Sequence, residues 1–458
     1  MPPISPRTFR GTRDFLPSEL LARRRIVETI EEAFRRYGFQ PLETPAIEYL
    51  EILTGKSEEN DKLIYEIKRA RGEEEESAES AIALRYDLTV PLARVVAQHA
   101  ELPRPFKRYQ IQPVWRADRP QPRQGRFREF VQCDADIVGT DSLLADAEII
   151  ALTYEVLKDL GFEEFRIRLS SRRFLRGMIR YVTGNESDEL FHGVCRAIDK
   201  LDKIGETGVV GELNRLGLPG VQLWRQFEVF QRVFASTEFF TRTKEWENPD
   251  TGRGIQEIQT VYRASVGLGV PEDVIKCDPL LARGLDYYTG PIFETVLPDH
   301  PHIGSLSGGG RYDGLVQTFS KERVPATGTT LGLDRIQTAL TELGKFESVS
   351  STTQVLVARF DADGMSECLQ IASELRRAGL RVEIWYDDDR IKKQFAYADK
   401  QGIPLVVMAG PDERARGSVA LKNLRLAEQK EVPRDALVET AKAWLSAEQG
   451  SLTLPESA

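Results

Sequence analysis

Residues 106–139 read FKRYQIQPVWRADRPQPRQGRFREFVQCDADIVG. Two strand-like runs flank a basic loop. The first, Tyr109 to Trp115, carries Ile111, Val114 and Trp115. The second, Phe127 to Val138, alternates with period two, which places Phe130, Gln132, Asp134 and Asp136 on one face. Arg116 and Asp118 share a face where the first run enters the loop. One surface therefore gathers a cation, three carboxylates, an amide and an aromatic ring. From Arg104 to Arg128 there are eight Lys/Arg and one acid, Asp118, in a protein of net charge −9. Such a locally basic segment suits a polyanion or a nucleotide phosphate. An ordinary antiparallel hairpin with a solvated basic loop has the same pattern, so the rest of the chain must separate the two.

At 458 residues the chain has room for two or three domains. Its 41% hydrophobic and 29% charged residues are those of a soluble globular protein. No apolar run approaches the ~20 residues that span a membrane, and the start, MPPISPRTFRGTRD, lacks a signal-peptide core. Cys133, Cys195, Cys277 and Cys368 form no C-x-x-C pair, which points to a reducing, cytoplasmic setting and away from a disulfide framework or a cysteine zinc site. His300 and His302 could share a ligand, but beside Pro298 and Pro301 they read as loop, and no metal site is expected. The negative net charge disfavours non-specific nucleic-acid binding and permits a local basic site.

The first long helix is expected from an N-cap at Ser18, with Ile26, Ile30, Ala33, Phe34 and Tyr37 as its apolar stripe and Gly38 as its stop. GFQPLETPAIEYLEI reads as a strand holding Pro45, hence an edge or a bulge. Leu63–Arg69 and Ala81–Arg85 read as strands around a glutamate-rich tip. In ALRYDLTVPL the strand ends at Asp87 and a helix opens at Thr89, with Pro91 in its first turn. Asp87 then either caps that helix or points into a cleft as a partner for an ammonium or imidazole; both can hold. A helix over 141–160 and a strand Phe165–Leu169 precede a helical block from Arg172 to Tyr262. CDPLLARGLDYYTGPIFETVL gives two strand-like pieces around Arg283–Tyr288. SLSGGGRYDGLV brings three glycines, Gly308 to Gly310, which admit close backbone approach. ATGTTLGLDRIQTAL gives a strand, Gly332, and a helix opening near Asp334 and Arg335. After the polar stretch GKFESVSSTT, strands and helices alternate, as in a compact α/β domain with a mostly parallel sheet.

These stretches, in this order, resemble the histidyl-tRNA synthetases among the class II aminoacyl-tRNA synthetases. The opening stretch is similar to motif 2, GFQPLETPAIEYLEI to motif 1 at the dimer interface, and ATGTTLGLDRIQTAL to motif 3. RGLDYYTG and SLSGGGRYDGL resemble the two histidine-specific motifs. The implied fold is an α+β catalytic domain on a mostly antiparallel sheet with a helical insertion, plus a C-terminal α/β anticodon-binding domain. The corresponding boundaries are 1–171 and 263–343 for the catalytic domain, 172–262 for the insertion, which in the family meets the tRNA acceptor arm, 344–353 for a linker, and 354–458 for the last domain.

The resemblance implies a reaction in which histidine and ATP form histidyl-adenylate, with Mg2+, and the histidyl group passes to tRNA-His. It places Arg116 and Arg283 on the α-phosphate, with Asp118 and Phe130 on adenine and Arg335 on adenine and the γ-phosphate. Asp118 and Asp334 stand where the family usually has Glu. The resemblance assigns histidine to Asp87, Leu88, Thr89, Gln132, Asp136, Tyr287 and Tyr288. Neutral imidazole offers one donor and one acceptor, which tyrosine hydroxyls and a carboxylate satisfy together. Adjacent tyrosines on a strand would point to opposite faces, so using both requires a twist or bulge. Gln121, Arg123 and Arg126 are expected at the tRNA acceptor end, including its extra 5′ guanosine. Arg390, Lys392, Lys393 and Lys400 would form a basic face on the last domain. A histidine-sensing regulatory paralogue without catalysis would lack pieces of the signature and the C-terminal domain, and a nucleic-acid-binding module on the same fold would not need both arginines at the phosphate.

Overall fold

The structure, a computed structural model, describes residues 4–54, 61–68, 81–234, 239, 249–282, 287–346 and 351–450. Residues 1–14 and 23–346 form one compact unit; 15–22 and 347–458 group as a second.

The first unit is built on an eight-stranded sheet. Its order is Gln40–Pro41, Phe106–Trp115, Glu129–Val138, Ala326–Gly332, Ser305–Arg311, Pro291–Val296, Arg166–Ser171 and Ile275–Cys277. Only the two outermost pairings are parallel, so the sheet is mostly antiparallel. The hairpin at residues 106–139 is its spine, paired without a break from Phe106 opposite Val138 to Trp115 opposite Glu129. The period-two alternation divides its faces. Cys133, Ala135 and Ile137 turn into the main core with Ile149, Ile150, Leu152 and Val156 of the helix Leu143–Asp159. Gln132, Asp134 and Asp136 lie on the other face, which bears the candidate site.

The helical block comprises Arg172–Thr183, Asp188–Asp199, Leu201–Arg215, Gly220–Phe234 and Pro249–Gly267. Its apolar side chains, among them Phe174, Phe191, Phe227 and Ile258, are continuous with the core behind the sheet. The last helix approaches the first so closely at Gly254 that a Cβ there would meet Phe174 N at 2.3 Å.

Several local expectations shift. The first helix runs Pro17–Arg36, so Ser18 lies inside its first turn rather than capping it. Ile26, Ile30, Ala33 and Phe34 are buried as expected, and Gly38 follows with φ +76°. Pro45 is not in a strand; it separates Gln40–Pro41 from Ile47–Tyr49. A fixed φ and a missing N–H make proline a natural break there. Tyr65–Ile67 and Ile82–Leu84 form strands shorter than expected, and the glutamate-rich tip lies outside the described residues.

The second unit carries the sheet order Val382–Ile384, Val355–Ala358, Leu405–Met408, Ser418–Asn423, Glu428–Pro433. The first three are parallel, as the alternation of strands and helices required. The last two add antiparallel, and the sequence had not marked them as strands. Arg390, Lys392, Lys393 and Lys400 are all exposed, while Gln394 between them is buried and binds the backbone of Arg359 through both its amide atoms. Among the described residues no helix is long and apolar enough to cross a membrane.

Candidate active site

Register assembles a buried charged cluster on the open face of the hairpin. Arg108 stands opposite Asp136, and Gln110 opposite Asp134. On the next strand Gly328 faces Asp136 and Thr330 faces Asp134. Arg108 Nη2 lies 2.9 Å from Asp136 Oδ2 and 3.9 Å from Asp134 Oδ2. It also donates to Leu88 O at 3.3 Å. Tyr312 donates its hydroxyl to Asp136 Oδ1 at 2.5 Å. Glycine is required at 328, where a Cβ would fall 2.0 Å from that oxygen.

Asp87 completes the cluster. Its Oδ1 accepts from Val90 N at 3.1 Å, in the first turn of the helix Thr89–Gln98, whose N-cap position is Leu88. Among the described residues its Oδ2 has no hydrogen-bond partner, and neither do Asp134 Oδ2 and Gln132 Oε1, all three buried. Burial pushes the Asp87 carboxyl up to about 6, against the pull of the Val90 N–H, Arg116 and Arg108. Burial likewise raises Asp134 and Asp136, with Arg108 opposing. Among the described residues three buried carboxylates face one buried guanidinium, so the ionised cluster formed by them is net negative. Buried acceptors without donors are costly. A small cation carrying several N–H groups is the ligand that would satisfy them.

Tyr287, in a turn, and Tyr288 beside it both lie outside any strand, so strand alternation does not separate them. Their ring centroids are 5.0 Å apart, and Tyr287 lies 5.8 Å from Tyr312. Both hydroxyls are pushed up, by burial first and then by charges that include Asp87 for each. Tyr287 also hydrogen-bonds the Thr89 side chain. Of the three consecutive glycines, Gly309 and Gly310 are pressed against neighbouring strands, with a Cβ meeting Gly328 O at 2.1 Å and Pro291 O at 2.6 Å. Only at Gly308 is there room, the nearest atom lying 3.9 Å from a Cβ.

The basic end of the hairpin is organised separately. Arg116 Nε donates to Tyr86 O at 2.8 Å, and its guanidinium carbon lies 5.1 Å from the centre of the Phe130 ring. Asp118 is held by Arg126, whose Nε lies 2.9 Å from Asp118 Oδ2. Gln121 and Arg123 are exposed in the loop. Gly125, at φ +65°, seats that loop on the start of the helix Leu333–Glu342, where a Cβ would meet Asp334 O at 2.9 Å. Arg335 donates to Ser305 O at 2.9 Å. Arg283 lies outside the described residues.

Residues to which the sequence assigned no such contacts hold this arrangement together. Arg108 fell just outside the first strand-like run, yet it shares the alternation of Gln110 and Gln112. Arg85 is buried and donates to Thr44 O, Pro45 O, Gln112 Oε1 and Pro113 O, fixing the LETPA segment to the hairpin. Asp334 accepts from Arg23 at 3.0 Å, from Arg13 at 2.5 Å and from Val131 N at 3.1 Å. It thereby anchors the strand beside Phe130.

Residues 11–336 match the family model described as histidyl-tRNA synthetase, and 354–444 match that of an anticodon binding domain. The chain is 42% identical to the histidine–tRNA ligase of Gloeobacter violaceus, over 93% of this chain and 96% of that one. It is also 42% identical to that of Cytophaga hutchinsonii, over 94% and 98%. A crystal structure of histidyl-tRNA synthetase from Nostoc superposes with a TM-score of 0.82 at 34% identity, covering 96% of this chain and all of that one. The chain belongs to the histidyl-tRNA synthetase family.

Proposed function

We propose that the chain activates histidine with ATP and passes the histidyl group to the 3′ end of tRNA-His. The observation that carries this is the buried Asp87–Asp134–Asp136 cluster, net negative beside Arg108 and with acceptor atoms left unpaired. Asp136 and Gln132 take the α-ammonium of histidine. Asp87, Thr89, Tyr287 and Tyr288, with the Leu88 backbone, enclose the imidazole. A carboxylate oxygen of histidine attacks the α-phosphorus in line; the P–O bond forms as the bond to the β-phosphate oxygen breaks and pyrophosphate leaves. Arg116 and Arg283 hold the charge that grows on the phosphate oxygens. Phe130 stacks on adenine, Arg335 covers it, and Asp118 accepts from its amino group once Arg126 gives way. Mg2+ accompanies the ATP phosphates. Glu294, a buried carboxylate opposite Gly308, is already held by Arg168 and Ser305, so no protein ligand is assigned to the ion. The working form is a cytoplasmic homodimer.

The histidine site should titrate. As pH falls through about 6 Asp87 protonates, and the KM for histidine in ATP–pyrophosphate exchange rises. Fold stability runs the other way: a carboxyl whose folded pKa is raised contributes stability at low pH, and this is lost as pH rises through about 6. Asp87→Asn raises the KM for histidine about 10- to 100-fold at neutral pH, the worth of one charged hydrogen bond of ~1.5–3 kcal/mol. It also removes the Asp87 step from the pH profile, leaving the titration of Asp134, Asp136 and histidine itself. A variant KM and pH profile equal to the native ones would remove Asp87 from the site.

The loop residues divide by role. Gln121→Ala and Arg123→Ala lower tRNA charging about 5- to 100-fold, for polar contacts worth ~1–3 kcal/mol, and leave exchange intact. Arg126→Ala also frees Asp118 and alters the KM for ATP. Unchanged charging by all three, including of a tRNA lacking the extra guanosine, would place the acceptor end elsewhere.

A further inference from the structure

His300, His302 and Glu342 converge although the two segments lie forty residues apart in sequence. His300 Nδ1 is 2.8 Å from Glu342 Oε1, and His302 Nε2 is 2.9 Å from Glu342 Oε2. One ligand atom from each residue lies within 4.8 Å of the other two, the only such group of three found among the described residues. None of the three belongs to the histidine or ATP site proposed above. From this geometry we infer a transition-metal site of the zinc class, held by His300, His302 and Glu342.

The donor set selects the ion. Two imidazole nitrogens and one carboxylate suit zinc and its neighbours, whereas magnesium and calcium prefer all-oxygen shells. In a tetrahedral zinc site with bonds of ~2.0–2.1 Å, donor atoms stand about 3.3 Å apart. The two His–Glu contacts use different carboxylate oxygens, so the ion, in taking the place of the shared protons, draws donors now within 4.8 Å of one another toward that spacing. A water would fill the fourth position, since all three side chains are partly open to solvent.

The ligands are held in advance. His300 and His302 flank Pro301 at the start of a 3-10 turn, Pro301–Ile303, closed by Ile303 N to His300 O at 3.1 Å and Gly304 N to Pro301 O at 3.1 Å. Proline fixes its own φ, and Ile303 is buried, so the imidazoles stand on a braced turn. Glu342 is the last residue of the helix Leu333–Glu342. A carboxylate at the negative end of a helix is disfavoured by itself, and a cation there is favoured. A divalent ion on one carboxylate and two neutral imidazoles leaves a net positive charge where the helix favours one. The ion would clip the turn to this end of the helix. Arg335, at the other end, already reaches Ser305 O, two residues beyond the turn.

The test uses tag-free, full-length protein stripped with a chelator and titrated with ZnCl2 by calorimetry and with CoCl2 by visible absorption. The expected result is one saturable ion per chain, tetrahedral cobalt absorption, and no competition from MgCl2. His302→Ala and Glu342→Gln each weaken zinc binding by about 10- to 100-fold or more. Zinc raises the melting temperature of the native chain, and of neither variant. Absence of saturable zinc binding would overturn the site and leave the cluster a plain His–Glu ion pair. Binding that persists unchanged in both variants, or cobalt absorption without tetrahedral character, would overturn it as well. If a variant fails to fold, the cobalt spectrum of the native chain still decides the matter.

Discussion

Arg116→Ala lowers kcat for histidyl-adenylate formation by about 100- to 1,000-fold, the loss expected when one preorganised donor is taken from a developing charge. The side chain is placed for this by two contacts. Its Nε is fixed on Tyr86 O at 2.8 Å, and its guanidinium stands over Phe130. Among the described residues that leaves both Nη groups to the ligand. The KM for ATP changes less than kcat, because the interaction strengthens as negative charge builds on the α-phosphate oxygens. Arg116→Lys does not restore the rate: a lysine has no Nε to bond Tyr86 O and no planar fork to span two oxygens. Pre-steady-state measurement of adenylate formation checks this directly. A variant with normal kcat and a raised KM for ATP would make Arg116 a binding residue only.

Asp334→Ala destabilises the first unit by about 3–5 kcal/mol, the usual cost of removing one partner from a buried ion pair. Its carboxylate is shared by Arg23, Arg13 and the Val131 backbone N–H. Without it the buried Arg23 loses the counter-charge Asp334 supplies and Val131 N loses its acceptor. Val131 follows Phe130, so the loss reaches the side chain proposed to stack on adenine, and the KM for ATP rises as well. Asp334→Asn keeps an acceptor for Val131 N and costs less. Chemical denaturation measures the effect, with the transition of the first unit followed separately, because two compact units need not unfold together. A variant that unfolds with the native midpoint would show that Arg13 and Arg23 find other partners.

Much of this is legible in the sequence. Period-two alternation in residues 127–138 placed Gln132, Asp134 and Asp136 on one face because a strand has no other way to arrange them. The strand-and-helix alternation after Thr353 fixed three parallel strands for the same reason. What stayed hidden was set by contacts distant in sequence. Nothing near Arg108 says that Asp136 will stand across from it; only the register of the hairpin does. Asp334 looked like a helix-opening acid, and its partners lie about two hundred or more residues away. Glycines 308 to 310 suggested approach to a ligand, but two of them serve the packing of neighbouring strands. Tyr287 and Tyr288 escaped the alternation rule because they lie outside any strand. Ser18 and Pro45 were misjudged through local propensity, which shifts element ends readily. His300 and His302 read as plain loop until Glu342 came beside them.

The most direct measurement is histidine-dependent ATP–pyrophosphate exchange by the purified chain, run beside the other amino acids and followed by charging of tRNA-His. Exchange with histidine alone, lost in Arg116→Ala and weakened in its KM for histidine in Asp87→Asn, is the predicted result. Histidine binding without exchange would contradict it and make the chain a histidine sensor rather than a ligase.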